Sequence, residues 1–159
     1  MRVIAEALSS AAFSQFGEVV EHAGPDRRRM LPDATAPDEA ASIARMWVSR
    51  LDTPATLPLT ISVLERHRFS PQTFIPLEVS RYLVTVAPSD AFGRPIVAEA
   101  RAFVVGSGRG IVYRCGTWHA GMTVLDRPAR FAVLIWSMKD ASQNDEFLDL
   151  PTPLQIAEA

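Results

Sequence analysis

Short apolar runs, some alternating with polar residues and some continuous, recur along the chain between breaks of Gly, Pro, Ser and Asp. Residues 2–8 alternate weakly, and strand-like runs follow at 18–21, 43–51, 59–69, 80–87, 99–105, 110–114 and 129–136. Ser9 and Ser10 offer an N-cap for a short helix running through Phe16, which Gly17 can terminate. Between His22 and Glu39 three prolines, a run of three arginines and four acids replace any apolar period, which predicts a long loop of the kind that often serves as a lid. Seven or eight short strands with almost no helical periodicity predict an all-β barrel or sandwich. Closure into a small barrel removes exposed strand edges and leaves a cavity for one small ligand. The acidic stretch from Asn144 to Ala159 fits either a short helix or an extended arm.

Composition narrows the picture. A chain of 159 residues with 48% hydrophobic content is expected to form one domain around one core. A net charge of −2 with intermixed signs gives no basic field for nucleic acid. The longest apolar runs, such as Phe131 to Trp136, are far too short for a membrane span, and the N-terminus lacks a signal-peptide core, so a soluble cytoplasmic protein is expected. Cys115 is the only cysteine and can form no intrachain disulfide.

Two stretches carry candidate chemistry. In a strand alternate side chains share a face, so Glu65 and His67 point one way while Arg66 and Arg68 point the other. The run Gly110 to Tyr113 is followed by a turn at Gly116 that delivers Trp118 and His119, the closing wall of a pocket.

The spacing of these residues resembles that of the cupin superfamily, whose first motif reads G-x5-H-x-H-x4-E and whose second reads G-x5-P-x-G-x2-H-x3-N. Glu65, His67 and Gln72 fall on the first, with Glu65 and Gln72 where His and Glu are usual. Gly108, Gly116 and His119 fall on the second, with Arg114 for the proline and Thr123 for the asparagine. Leu64 to His67, Gln72, Phe74 to Pro76, and Tyr113 through Trp118 and His119 look more closely like ureidoglycolate lyase, a cupin-like family of allantoin breakdown. The likeness spans residues 57–135 well and Phe13 to Glu21 more loosely. It implies a cupin-like β-barrel, a double-stranded β-helix with one or two short helices. It further implies a homodimer, and a lyase that converts (S)-ureidoglycolate to glyoxylate and urea in purine degradation.

On that likeness Glu65, His67, Gln72 and His119 are candidate ligands of a divalent ion such as nickel, manganese or zinc, supplying two nitrogens and two oxygens. A metal-free pocket using the same groups for hydrogen bonding is the other reading, in which Gln72 holds substrate or orients His119. His119 is the expected acid-base group, with Glu65 and His67 as further catalytic candidates, because collapse of a carbinolamine needs one proton removed and one supplied. Gln72, Tyr113 and Trp118 are the expected substrate contacts. Cys115 reads as a small hydrophobe rather than a nucleophile, and Tyr82 as a packing residue. Arg27 to Arg29 reads as a solvated run, although an arginine fork suits a carboxylate if the loop covers the mouth. Arg66, Arg68 and Arg81 are expected outside the barrel.

The chain also departs from the family. The segment after Phe16 to Val20 carries no asparagine before Asn144, where the family shows an asparagine- and glycine-containing stretch, and Gly121 stands where proline is common. Two alternatives therefore accompany the lyase reading: turnover of a related N-acylated α-hydroxy acid, and a non-catalytic module that binds a small acid.

Overall fold

The computed structural model describes residues 1–140 and 144–158. Twelve strands carry the described architecture: β1 Arg2–Ala7, β2 Gly17–Val20, β3 Ile43–Leu51, β4 Leu59–His67, β5 Gln72–Glu78, β6 Arg81–Ala87, β7 Arg101–Val105, β8 Gly110–Tyr113, β9 Trp118–His119, β10 Thr123–Leu125, β11 Ala129–Ser137 and β12 Asp145–Ala157. A helix α1, Ser10–Phe13, joins β1 to β2.

The strands form a seven-stranded sheet in the order β10-β6-β7-β1-β12-β4-β9 and a five-stranded sheet in the order β2-β8-β5-β11-β3. Because β9 pairs with β6 as well as with β4, six strands of the first sheet close into a ring. Each of them contributes to one apolar cluster, with Val3, Leu64, Leu83, Ala102, Trp118 and Leu154 among its members. Side chains fill a barrel of this size. The opposite faces of β6 and β7 present Tyr82, Val84, Val86, Phe103 and Val105 to the five-stranded sheet, where they meet Phe74, Ile111, Tyr113, Phe131 and Val133 in a second cluster. The result is a cupin-like all-β barrel, as the sequence predicts.

The structure corrects several local expectations. The helix stops at Phe13 with Ser14 as its C-cap, three residues short of the predicted end; Ser9 caps its start, its Oγ accepting from Ala12 N–H at 3.1 Å. Gly17 opens β2 instead of ending the helix, and glycine is required there because a Cβ would lie 1.8 Å from the Val112 carbonyl oxygen. Strand β5 is absent from the predicted set because Pro76 interrupts its pattern; the ladder absorbs Pro76 at a register shift opposite Arg130 and Phe131.

The C-terminal stretch is neither helix nor free arm. β12 lies between β1, to which it is parallel, and β4, to which it is antiparallel. Its register shifts between Asp149 and Leu154, where Pro151 and Pro153 cannot donate to the ladder. Ala159 falls outside the described residues.

The loop at 22–42 is a strap on the outer face of the five-stranded sheet, not a lid on the barrel. Asp33 N–H donates to Glu18 at 2.9 Å, Arg114 pairs with Asp33 at 2.7 Å, and the Trp136 indole N–H donates to the Ala34 carbonyl at 3.1 Å. Glu18, Arg114 and Trp136 alternate with the buried Val19, Tyr113 and Ile135, which fixes the side on which the strap lies. Arg29 is tied down as well, donating to the carbonyls of Val19 and Glu21.

Candidate active site

Glu65 and His67 share the face of β4 that looks toward the five-stranded sheet, while Leu64 on the other face enters the ring cluster. The Gly116 turn brings β9 to them: Gly116 adopts φ +74°, a left-handed conformation that suits glycine, and its N–H donates to the His67 carbonyl at 2.9 Å. His119 then stands opposite Glu65 on one side and Val86 on the other. The His67 and His119 rings are 5.4 Å apart, and one ligand atom from each of Glu65, His67 and His119 lies within 4.8 Å of the other two.

The outer ring nitrogens are already engaged. His119 Nδ1 lies 2.8 Å from the Thr117 carbonyl and His67 Nδ1 lies 2.7 Å from Asp145 Oδ1. A carbonyl and a carboxylate only accept, so in each neutral imidazole Nδ1 carries the hydrogen and Nε2 presents a lone pair. Both Nε2 atoms are buried without a hydrogen-bond partner, and so is Gln72 Oε1. Gln72 stands directly opposite Tyr113 in the ladder and shares its inward face. Glu65 Oε1 is 3.5 Å from His119 Nε2, close enough for an ion pair but outside hydrogen-bonding geometry.

Electrostatics follow from this crowding. The His119 imidazole holds the Glu65 carboxyl below its usual range against the opposing effect of burial. Burial, with His119 adding to it, pushes the His67 imidazole below its ordinary value, and Asp145 opposes the shift. Both groups therefore sit near neutral pH as a carboxylate and an uncharged imidazole. One candidate ligand atom from each of Glu65, His67 and His119 lies within 4.8 Å of the other two, and the two imidazole Nε2 atoms among them are buried without a hydrogen-bond partner, an arrangement that a cation could join. The donor set of two imidazole nitrogens and a carboxylate oxygen, with the Gln72 amide oxygen on the same inward face, fits a borderline divalent ion such as nickel, manganese or zinc.

Tyr113 lies against this cluster, its ring stacked on His119 at 4.1 Å with an interplanar angle of 18°. Burial pushes its phenol well above the ordinary value, so it is un-ionised. Trp118 is not brought to the site. Adjacent to His119 on a strand, it takes the opposite face, enters the ring cluster and donates its indole N–H to the Gly93 carbonyl at 2.9 Å. Arg66 follows it: far from being an exterior residue, it stacks over the Trp118 ring at 4.6 Å and pairs with Glu146 at 2.7 Å. Arg81 is on the exterior as expected, paired with Asp126 and Glu158. Cys115 Sγ lies 3.5 Å from the Ala36 carbonyl under the strap, and burial raises its pKa, which suits a packing role.

Comparison with known proteins identifies the family. A family model described as ureidoglycolate lyase matches residues 1–157. The chain belongs to the ureidoglycolate lyase family. Among curated ureidoglycolate lyases it is 33% identical to one from Chelativorans, covering 98% of this chain and 96% of that one. It is 34% identical to one from Azotobacter vinelandii, covering 84% and 85%. A solved dTDP sugar isomerase from Desulfovibrio desulfuricans shares the fold at a TM-score of 0.50 and 13% identity, over 72% of this chain and 69% of that one.

In this lyase-family chain, residues outside the motifs support the site. Asp145, at the start of β12, holds His67; Asn144 donates to the same Asp145 oxygen at 3.2 Å and accepts from Phe69 N–H at 3.4 Å. The sequence offers no local signal for them, because they meet His67 across the β4–β12 ladder, where Asp145 is its register partner.

Proposed function

We propose that the protein cleaves (S)-ureidoglycolate to glyoxylate and urea within the breakdown of allantoin, with Glu65, His67, His119 and Gln72 around one divalent cation. The observation that carries this reading is the convergence of buried, unpartnered acceptor atoms, His67 Nε2 and His119 Nε2 beside the Glu65 carboxylate. Two imidazoles whose second nitrogens are each held by a fixed acceptor form the usual arrangement for metal-binding histidines.

The reaction is an elimination. The hydroxyl oxygen loses its proton, its electrons form the carbonyl of glyoxylate, the carbon–nitrogen bond breaks, and the departing nitrogen of urea takes up a proton. Held by Glu65, His67, His119 and Gln72, a divalent cation would supply Lewis acidity to the oxygens of the substrate. Glu65 has two oxygens and more exposed surface than either histidine. Its free oxygen accepts the hydroxyl proton and returns it to the leaving nitrogen, one group serving both transfers. Asp145 and the Thr117 carbonyl keep the two imidazoles in one tautomer, and Tyr113 fixes the plane of His119. His119 Nε2 faces the other two donors, which favours ligation over the acid-base role expected for it.

The metal-free reading uses the same atoms, with His119 Nε2 carrying a proton shared with Glu65 Oε1. It keeps His119 as the acid-base group.

We place the enzyme in the cytoplasm, where a lone Cys115 stays reduced, and as a homodimer. Supporting the dimer, β3 is a nine-residue edge strand that exposes Met46, Trp47 and Val48 beside an unpaired backbone. Among the described residues no helix is long and apolar enough to cross a membrane.

The decisive experiment measures glyoxylate, urea and ammonia from (S)-ureidoglycolate with and without chelator. Equal amounts of glyoxylate and urea, no ammonia, and a loss on chelation that nickel, manganese or zinc restores are expected. Stoichiometric ammonia sinks the lyase reading; activity indifferent to exhaustive chelation sinks the metal.

A further inference from the structure

Of the three clustered groups, only Glu65 has an appreciable exposed share, 24% of its side chain against 8% for His67 and 2% for His119. That share opens into a depression of about 220 Å³ lined by Val63, Glu65, Gly121 and Phe147. A larger hollow of about 540 Å³ is lined by Arg2, Leu57, Pro58, Gln155, Ala157 and Glu158 and touches none of the clustered groups. Phe147 is the register partner of Glu65 across the β4–β12 ladder, so the two side chains stand next to each other on one face. Phe147 is 66% exposed beside a carboxylate, with Val63 one alternation along the same strand face. Gly121 leaves the opposite side open, with no atom within 4 Å of where a Cβ would stand.

We propose that this depression is the seat of the ureido half of the substrate, with Phe147 as the residue that positions it. This rests on the lyase reading above. The carboxylate and hydroxyl of an α-hydroxy acid are the parts that suit the Glu65, His67 and His119 end; the ureido half then projects outward along the strand face. A urea group is planar, with two polarised faces, and it packs on an aromatic ring while its N–H groups stay hydrated at the rim. The depression has a single charged lining residue, Glu65, which suits a neutral hydrogen-bond donor at this end and disfavours a second carboxylate. Phe147 thus selects between ureido acids and small hydroxy acids that lack the group, and Gly121 keeps the space for it open.

The test uses the metal-loaded full chain, the non-reactive probe N-carbamoylglycine, which keeps the ureido and carboxylate groups but has no hydroxyl to eliminate from, and glycolate, which lacks the ureido group. Calorimetry on Phe147→Ala is expected to show N-carbamoylglycine weakened about fivefold to tenfold and glycolate unchanged. Kinetics should show KM for ureidoglycolate raised with kcat nearly kept, and Phe147→Tyr should restore both. Gly121→Leu fills the open side without meeting any atom of the fold at its Cβ; it should weaken N-carbamoylglycine at least tenfold while metal content stays at the wild-type level. Equal weakening of both probes by Phe147→Ala, or an unaltered N-carbamoylglycine affinity in Gly121→Leu, overturns the proposal. If wild type turns over no ureidoglycolate, the lyase reading fails, and the contrast between the two probes still decides whether the depression recognises a ureido group.

Discussion

Asp145 and His67 face each other across the β4–β12 ladder, with Oδ1 2.7 Å from Nδ1, so a carboxylate at one end of the chain sets the tautomer of an imidazole in its middle. Replacing Asp145 by alanine frees Nδ1 and lets Nε2 carry the hydrogen instead, which removes a lone pair from the cluster. Cation affinity should fall by about 10- to 100-fold, read by metal titration against a competing chelator. Wild-type affinity in the variant would show that the ladder alone orients His67.

Gln72 gives a prediction of opposite sign for folding and for binding. Its buried Oε1 has no partner, and an apolar side chain of similar size removes that burden. Gln72→Leu is expected to stabilise the metal-free protein by about 1 kcal/mol in urea denaturation and to weaken cation binding. A variant that is destabilised and binds metal normally would place Gln72 among the packing residues.

Stability should fall with acid in two stages. His67 has a folded pKa held below 6.5, so as pH drops through 6.5 the unfolded chain takes up a proton that the folded chain refuses. Glu65 has a folded pKa below 4.5, so its contribution is present above 4.5 and is lost as pH falls toward its folded value. Thermal midpoints of the metal-free protein between pH 7.5 and 4 should therefore decline first below about 6.5 and more steeply below about 4.5. His67→Gln should flatten the upper part alone. A midpoint constant from pH 7 to 5 in wild type contradicts the assignment.

The edge strand β3 predicts the oligomer. Lysine on an exposed strand edge opposes further pairing, and Val48 is 59% exposed on that strand. Sedimentation should show a dimer for wild type and a monomer for Val48→Lys at equal concentration. A wild-type monomer, or a Val48→Lys dimer, removes β3 as the interface.

Strand parity makes the heart of the site legible from the sequence. Alternation places Glu65 and His67 on one face, and the Gly116 turn points to His119, because both are local properties of the backbone. Parity also holds the lesson of Trp118: beside His119 on a strand, it has to face away, and nearness in sequence to a site residue misleads when the local period is two. Asp145 and Phe147 are not legible, since their roles come from the register of a ladder that joins distant segments. β12 itself resists reading because Pro151 and Pro153 break its alternation at the point where the strand bulges. The strap at 22–42 has no period at all, and its place on the outer face is set by single contacts such as Asp33 with Arg114 and Trp136 with Ala34.

The position of β12 has a consequence for biosynthesis. β1 precedes β12 by well over a hundred residues, yet its residues Arg2 to Ile4 pair with Gln155 to Ala157. During translation β1 and β4 emerge early and wait, their shared neighbour unmade, while the sheet edges that β12 will cover stand open to other chains. The same segment brings Asp145 to His67 and Phe147 to Glu65. A nascent chain released before this segment has been made therefore lacks both a closed ring and a fixed His67: a truncated product is expected to be inert and prone to aggregate, and never a weakened enzyme.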